Sequence, residues 1–149
     1  MKKCYRLILI LMLFILCYLS SCDRDYKATD KNKSETDADI DTQIASLFDE
    51  YTDTLDGAYT EKYTTDLYAA YQSTDTFNFI QLLSQHEINR IRPIVNLLVS
   101  EVMNSPDSSV IKEFTADIES LLDAKGLAKL EEYVVYELYT NILYYRIIL

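Results

Sequence analysis

The sequence predicts an all-α fold, a small bundle of five or six helices over residues 38–149, and three observations carry that expectation. Apolar residues recur every three or four positions in successive windows, the spacing of one helix face. The chain has only two glycines, Gly57 and Gly126, and each falls between two such windows. No hairpin turn flanked by alternating apolar residues occurs, so antiparallel strands have nothing to start from. Short connections between amphipathic helices then favour a bundle around one core. No internal repeat of 20 to 50 residues accompanies them.

The chain opens with Lys2, Lys3 and Arg6, an apolar run from Leu7 to Leu19, and Ser20-Ser21-Cys22 followed by Asp23. The thirteen residues Leu7 to Leu19 are too few for a bilayer core that needs about 20 in a helix, but they suit the apolar region of a secretory leader. The order of charge, apolar run, small residues and cysteine resembles the lipobox of bacterial lipoprotein signal peptides. The resemblance covers residues 1–22. It implies that residues 1–21 are removed and that Cys22 becomes the first residue, with acyl chains on its thiol and usually on its amino group. Each buried methylene contributes about 0.8 kcal/mol, so two or three chains hold a protein stably at a membrane where one does not. The resemblance places the protein in the bacterial cell envelope, at the outer membrane or cell surface in preference to the inner membrane.

Processing changes the physics of what remains. Loss of three bases takes 14 Lys and Arg against 24 Asp and Glu to 11 against 24, a net charge of −13 over 128 residues. Such a surface repels nucleic acid and suits a basic protein partner. Cys4 and Cys17 leave with the leader and Cys22 is acylated, so no disulfide supports the fold and stability rests on an apolar core. From Cys22 to Asp37 the chain holds no aliphatic side chain larger than Ala28, too little apolar surface to offset its ordering entropy. Residues 22–37 are therefore expected to be a flexible acidic tether spanning about 20 Å.

Helical spacing then gives each element in turn. Asp37 or Asp39 can cap a first helix bearing Ile40, Ile44, Leu47, Phe48, Tyr51 and Leu55, closed by Gly57. A second, from Ala58 to Gln72, carries Tyr59, Tyr63, Leu67 and Tyr71 in steps of four. Thr74 or Asp75 can cap a third, with Phe77, Phe79, Ile80 and Leu83. Ser84 and Glu87 fit a capping box for a fourth, which runs through Ile88, Ile91, Val95, Leu98 and Val102, with Pro93 either kinking it or marking its first turn. Ser105-Pro106-Asp107 reads as a start signal, serine as cap, for a fifth with Val110, Ile111, Phe114, Ile118, Leu121 and Leu122. The last, Leu127 to Leu149, has a main face of Leu127, Leu130, Val134, Leu138, Ile142 and Tyr145. It has a second apolar side of Tyr133, Tyr136, Tyr144 and Ile147, which predicts a central, buried helix.

Site chemistry is sparse. His86-Glu87 opens like a zinc-hydrolase helix, but the second ligand position is Arg90 and the chain has one histidine. His86 therefore reads as a polar or partly buried residue near a cap. Asp37, Asp39 and Asp41 open like a calcium loop, but Thr42 stands where glycine is needed and Phe48 where a bidentate glutamate belongs. No phosphate-binding loop, nucleophile elbow or free thiol is present. Glu131 and Glu132 point about 100° apart on a helix. Metal, cofactor and catalytic residues are accordingly none, and a non-catalytic protein is expected.

Two features stand out as interaction candidates. Between Asp37 and Asp66 lie nine acids and one base, Lys62, with Asp49, Glu50 and Asp53 at the end of the first helix. They form a negative field able to steer a cationic partner, or simply a solvated face. Eleven tyrosines remain after processing, with no tryptophan. Tyr133, Tyr136 and Tyr144 lie opposite the main core face, and tyrosine is enriched at interfaces, though it also lines core edges. Arg90 and Arg92 are expected to pair with nearby acids, Arg90 with Glu87. The expected function is a lipid-anchored protein that binds a macromolecular partner, probed through Tyr133, Tyr136, Tyr144, Asp49, Glu50 and Asp53. The alternative is an immunity or exclusion lipoprotein that neutralises a toxin or incoming element. The layout of lipobox, polar tether and small helical domain is similar to that of small surface lipoproteins of diderm bacteria.

Overall fold

A computed structural model describes residues 35–54 and 56–148. The expected leader, Cys22 and most of the expected tether lie outside the described residues, as do Leu55 and Leu149. Six α-helices follow in order: α1 (Glu35–Glu50), α2 (Gly57–Gln72), α3 (Thr76–Leu83), α4 (Ile88–Met103), α5 (Ser108–Leu122) and α6 (Lys129–Ile148). Among the described residues there is no strand, and the all-α bundle holds.

Helix boundaries depart from the sequence reading where several polar residues compete for one cap. α1 starts at Glu35, so Asp37 and Asp39 lie inside it, and it stops at Glu50, well short of Gly57. Gly57 instead opens α2 at φ +46°, a left-handed conformation that glycine adopts without steric cost. Ser84 closes α3 rather than capping α4, and its hydroxyl donates to the Gln81 carbonyl, so the Ser84–Glu87 capping box does not form. Glu87 takes the cap position of α4 through its backbone alone. Pro93 sits in the second turn of α4 and the helix continues through it. The Asn89 carbonyl that loses its helical donor there belongs to an exposed residue, where water can serve it. At α5 the cap is Asp107, whose Oδ1 accepts from the Ser109 amide at 2.8 Å, and Ser105 only supports it by accepting from the Asp107 amide.

Two side-chain caps close helix starts, and the first also ties its helix to a neighbour. Asp75 accepts from the Asn78 amide at 2.8 Å, and the Asn78 side chain donates onward to Asp41 of α1 at 2.7 Å. Asp75→Ala should therefore cost about 1 kcal/mol of stability, read as a lower urea midpoint with unchanged slope. At the start of α6, Ala128 offers no capping side chain. Glu131 turns back so that its Oε2 accepts from the Ala128 amide at 2.8 Å, and this explains how a glutamate is buried there.

The core is one cluster. Ile44 and Phe48 of α1, Tyr63 and Leu67 of α2, and Phe79, Ile80 and Leu83 of α3 meet the apolar faces of α4, α5 and α6. The last helix is central but not buried all round, and it shares the centre with α4, which packs on α2, α5 and α6 and buries Ile91, Ile94, Val95, Leu98, Val99, Val102 and Met103. α6 lies against α3, α4 and α5 with Val134, Val135, Leu138 and Ile142, so Leu130 falls outside the buried face and Glu131 within it. Tyr59, expected on the buried face of α2, is 72% exposed.

Candidate functional site

Three surfaces collect the polar and aromatic chemistry. The first is the corner where α1 ends against the α3–α4 connection. Phe48 is fully buried and stacks edge-on to the His86 ring at 5.6 Å, which holds His86 over the end of α1. The His86 Nδ1 lies 3.7 Å from Asp49 Oδ1, and Arg90 donates to the same oxygen at 3.1 Å. Arg90 also reaches the carbonyls of Phe48 and Asp49 at 3.4 Å, so it closes the C-terminal end of α1 instead of pairing with Glu87. Glu50 and Asp53 are exposed beside this corner. Burial and the neighbouring Asp53 push the Tyr51 hydroxyl above its ordinary range. Asp49 is thus tied within the fold, while Glu50 and Asp53 face outward. The one base of the acidic stretch, Lys62, pairs with Asp66 one turn along α2.

A second surface is a cleft of about 460 Å³ where α2 ends, α3 begins and α5 passes by. Tyr71 donates to Thr76 Oγ1 at 2.9 Å, and Thr76 donates to Asp117 Oδ2 at 3.2 Å, a relay joining three helices. The Tyr71 ring packs edge-on against Phe79 and Phe114 at 5.4 and 5.2 Å. Burial pushes the Tyr71 hydroxyl up to about 12, with Asp117 and Glu113 adding to the effect against the Thr76 bond; burial also raises Tyr63. Because the folded state holds the Tyr71 proton more tightly than the unfolded chain does, its contribution is complete below pH 10 and is lost as pH rises from about 10 toward about 12. Alkaline titration followed by phenolate absorbance should show Tyr63 and Tyr71 ionising above the range of tyrosine in the unfolded chain, with unfolding setting in over the same window.

The third surface is one side of α6. Tyr136, Thr140, Leu143, Tyr144 and Ile147 recur at helical spacing and are all exposed, Tyr136 at 63%, Tyr144 at 62% and Ile147 at 83%. No described helix covers this side. Tyr133 behaves differently: it is half-buried, its hydroxyl accepts from Arg92 Nε at 2.6 Å, and the Arg92 guanidinium lies 5.9 Å from its ring centre. Arg92 also reaches Glu137 at 3.3 Å, which fastens α4 to α6. Tyr139 and Tyr145 are half-buried against the core. The sequence-predicted residues therefore do not form one patch: Asp49, Glu50 and Asp53 lie at the α1 corner, Tyr133 is held within the fold, and Tyr136 with Tyr144 marks the exposed side of α6. The Tyr71–Thr76–Asp117 relay was missed because its members are separated by 5 and 41 residues and carry no motif.

No group of His, Cys, Asp and Glu among the described residues has metal-binding geometry. No described helix is long and apolar enough to cross a membrane. No family model, curated protein or solved structure matches the chain.

Proposed function

We propose that this chain is a lipid-anchored, non-catalytic envelope protein that acts by binding a protein partner. The observation that carries the binding part is the uncovered side of α6. A run of large apolar and tyrosine side chains sits in water there, whereas α2, α4 and α5 expose such residues singly, as Tyr59, Ile88 and Leu122. Contiguous apolar exposure of this kind marks interaction surfaces more than isolated exposed leucines do. Tyrosine suits such a surface because its rigid ring contributes contact area at low entropic cost while its hydroxyl stays wet. The anchoring part rests on the sequence of the leader and Cys22, and the exposed Glu50 and Asp53 support a partner with basic groups.

The test combines both parts. The full chain, expressed in a bacterium with an intact lipoprotein pathway, should partition into detergent and label with a palmitate analogue. Cys22→Ser should shift it to the aqueous phase and abolish labelling. Labelling that persists in the variant would sink the anchor. Crosslinking from native membranes should capture a discrete protein partner that is released by high salt, whereas equal capture by an unrelated acylated helical domain would count against specific binding.

A further inference from the structure

We infer that the cleft between α2, α3 and α5 is a receptor for a basic side chain, an arginine presented by a polypeptide. This deepens the proposed binding function and rests on it. The walls are aromatic and acidic together. Tyr68, Tyr71, Phe77 and Phe114 contribute rings, Asp75, Glu113 and Asp117 contribute carboxylates, and among the described residues no Lys, Arg or His lines the space of about 460 Å³. Three carboxylates beside aromatic walls focus a negative potential, and no described cation within the cleft neutralises it.

The acids are positioned but not used up. Asp117 takes one hydrogen bond, from Thr76 on Oδ2, and the Tyr71–Thr76 relay fixes that carboxylate in place. Among the described residues its Oδ1 accepts no hydrogen bond, and Glu113, one turn earlier on the same face of α5, makes no hydrogen bond or ion pair. Asp75 spends Oδ1 on the Asn78 amide, so the positive end of α3 at this spot is already met. The remaining oxygens belong to two side chains four residues apart, a spacing suited to the forked donors of a guanidinium. The rings of Tyr68 and Tyr71 supply faces on which its plane can lie, which favours arginine over the compact, strongly hydrated ammonium of lysine. Gln72, Thr74 and Ser120 also line the cleft and add polar groups for the backbone that carries the arginine.

The experiment titrates the full chain with acetylated, amidated Gly-Arg-Gly, followed by ring-proton NMR of the aromatic residues. Saturable shifts at Tyr68 and Tyr71 are expected, with Gly-Lys-Gly weaker and the neutral citrulline peptide without effect. Glu113→Gln, a change at an exposed position that leaves the relay intact, should weaken arginine binding about tenfold. Asp117→Asn should do at least as much, with circular dichroism checking that the helices persist. Equal binding of the citrulline peptide, shifts confined to other rings, or an unchanged affinity in Glu113→Gln would overturn the assignment. Free agmatine binding as tightly as the peptide would overturn the polypeptide source in favour of a small organic cation. Substitution of Tyr136 and Tyr144 should leave this titration unchanged. Loss of arginine binding with intact partner capture thus refutes the cleft alone, and intact arginine binding without any captured partner refutes the wider binding function.

Discussion

Phe79→Ala is expected to cost about 3–5 kcal/mol of stability, the largest single effect in this fold. Phe79 is fully buried at the joint where three helices meet, edge-on to Phe48 of α1 at 5.2 Å and 89° and to Tyr71 of α2 at 5.4 Å and 78°. Truncation removes its buried area, leaves a void lined by two rings, and frees Tyr71, whose hydroxyl anchors the relay to Thr76 and Asp117. Interiors are packed densely enough that the surrounding helices close such a void only in part. A domain of this size has roughly 5–15 kcal/mol in total, so the variant should populate unfolded chain at physiological temperature. Urea denaturation checks the loss, and Phe79→Leu should fall between the variant and the parent. A midpoint close to that of the parent would mean that the α1–α3 joint is not where the bundle is held. Because Tyr71 leans on the same ring, its late alkaline ionisation should also move back toward the ordinary tyrosine range.

The importance of this joint is only partly legible in the sequence, and the reason is geometric. Phe79 follows Phe77 by two, so periodicity alone leaves both as candidates for one face, and only the neighbouring helices decide that Phe79 goes inward. The faces of α4 and α5 were readable because Ile91, Val95, Leu98 and Val102, like Phe114, Ile118 and Leu121, alternate steps of three and four and so stay on one line. Tyr59 misleads for the opposite reason. A run in unbroken steps of four drifts about 40° per step, so Tyr59, Tyr63, Leu67 and Tyr71 wind round α2 and its first member leaves the core. The same drift puts Leu130 outside and Glu131 inside on α6, and the buried glutamate is then accommodated by the Ala128 amide.

Caps and ion pairs were less readable still. Ser84, Ser105 and Asp107 are all competent caps, and which of them caps a helix depends on where the preceding helix has to stop. Arg90 pairs across 41 residues with Asp49 and not with Glu87, because the end of α1 presents a carboxylate and two unbonded carbonyls together. A local spacing rule carries no information about that. The candidate residues divide along the same line: the pattern placed Tyr136 and Tyr144 opposite the core, whereas the partner that holds Tyr133, Arg92, lies on another helix.

That division makes the paired substitution of Tyr136 and Tyr144 the most informative test of function. Both rings are more than half exposed, and neither hydroxyl makes a hydrogen bond within the described residues. Each change to serine should therefore alter stability by no more than about 0.5 kcal/mol. If they are anchors at the centre of a partner interface, each should weaken capture by about 2 kcal/mol or more, roughly thirtyfold, because a desolvated aromatic carries a disproportionate share of binding energy. Tyr145 provides the contrast. It meets Tyr144 edge-on at 6.3 Å but packs against the core, so Tyr145→Ser should lower the urea midpoint and affect capture only through that loss. Tyr133→Phe separates the cases further, because it deletes the hydroxyl that receives Arg92 while keeping the ring. A small stability change without loss of capture is expected there. Should Tyr136→Ser and Tyr144→Ser lower stability while leaving capture intact, the exposed side of α6 is a core edge, and the partner must be sought at the acidic corner formed by Glu50 and Asp53. Interface and core edge thus differ in which of two measured quantities moves, and on this helix the exposed and half-buried tyrosines allow both to be read from one set of variants.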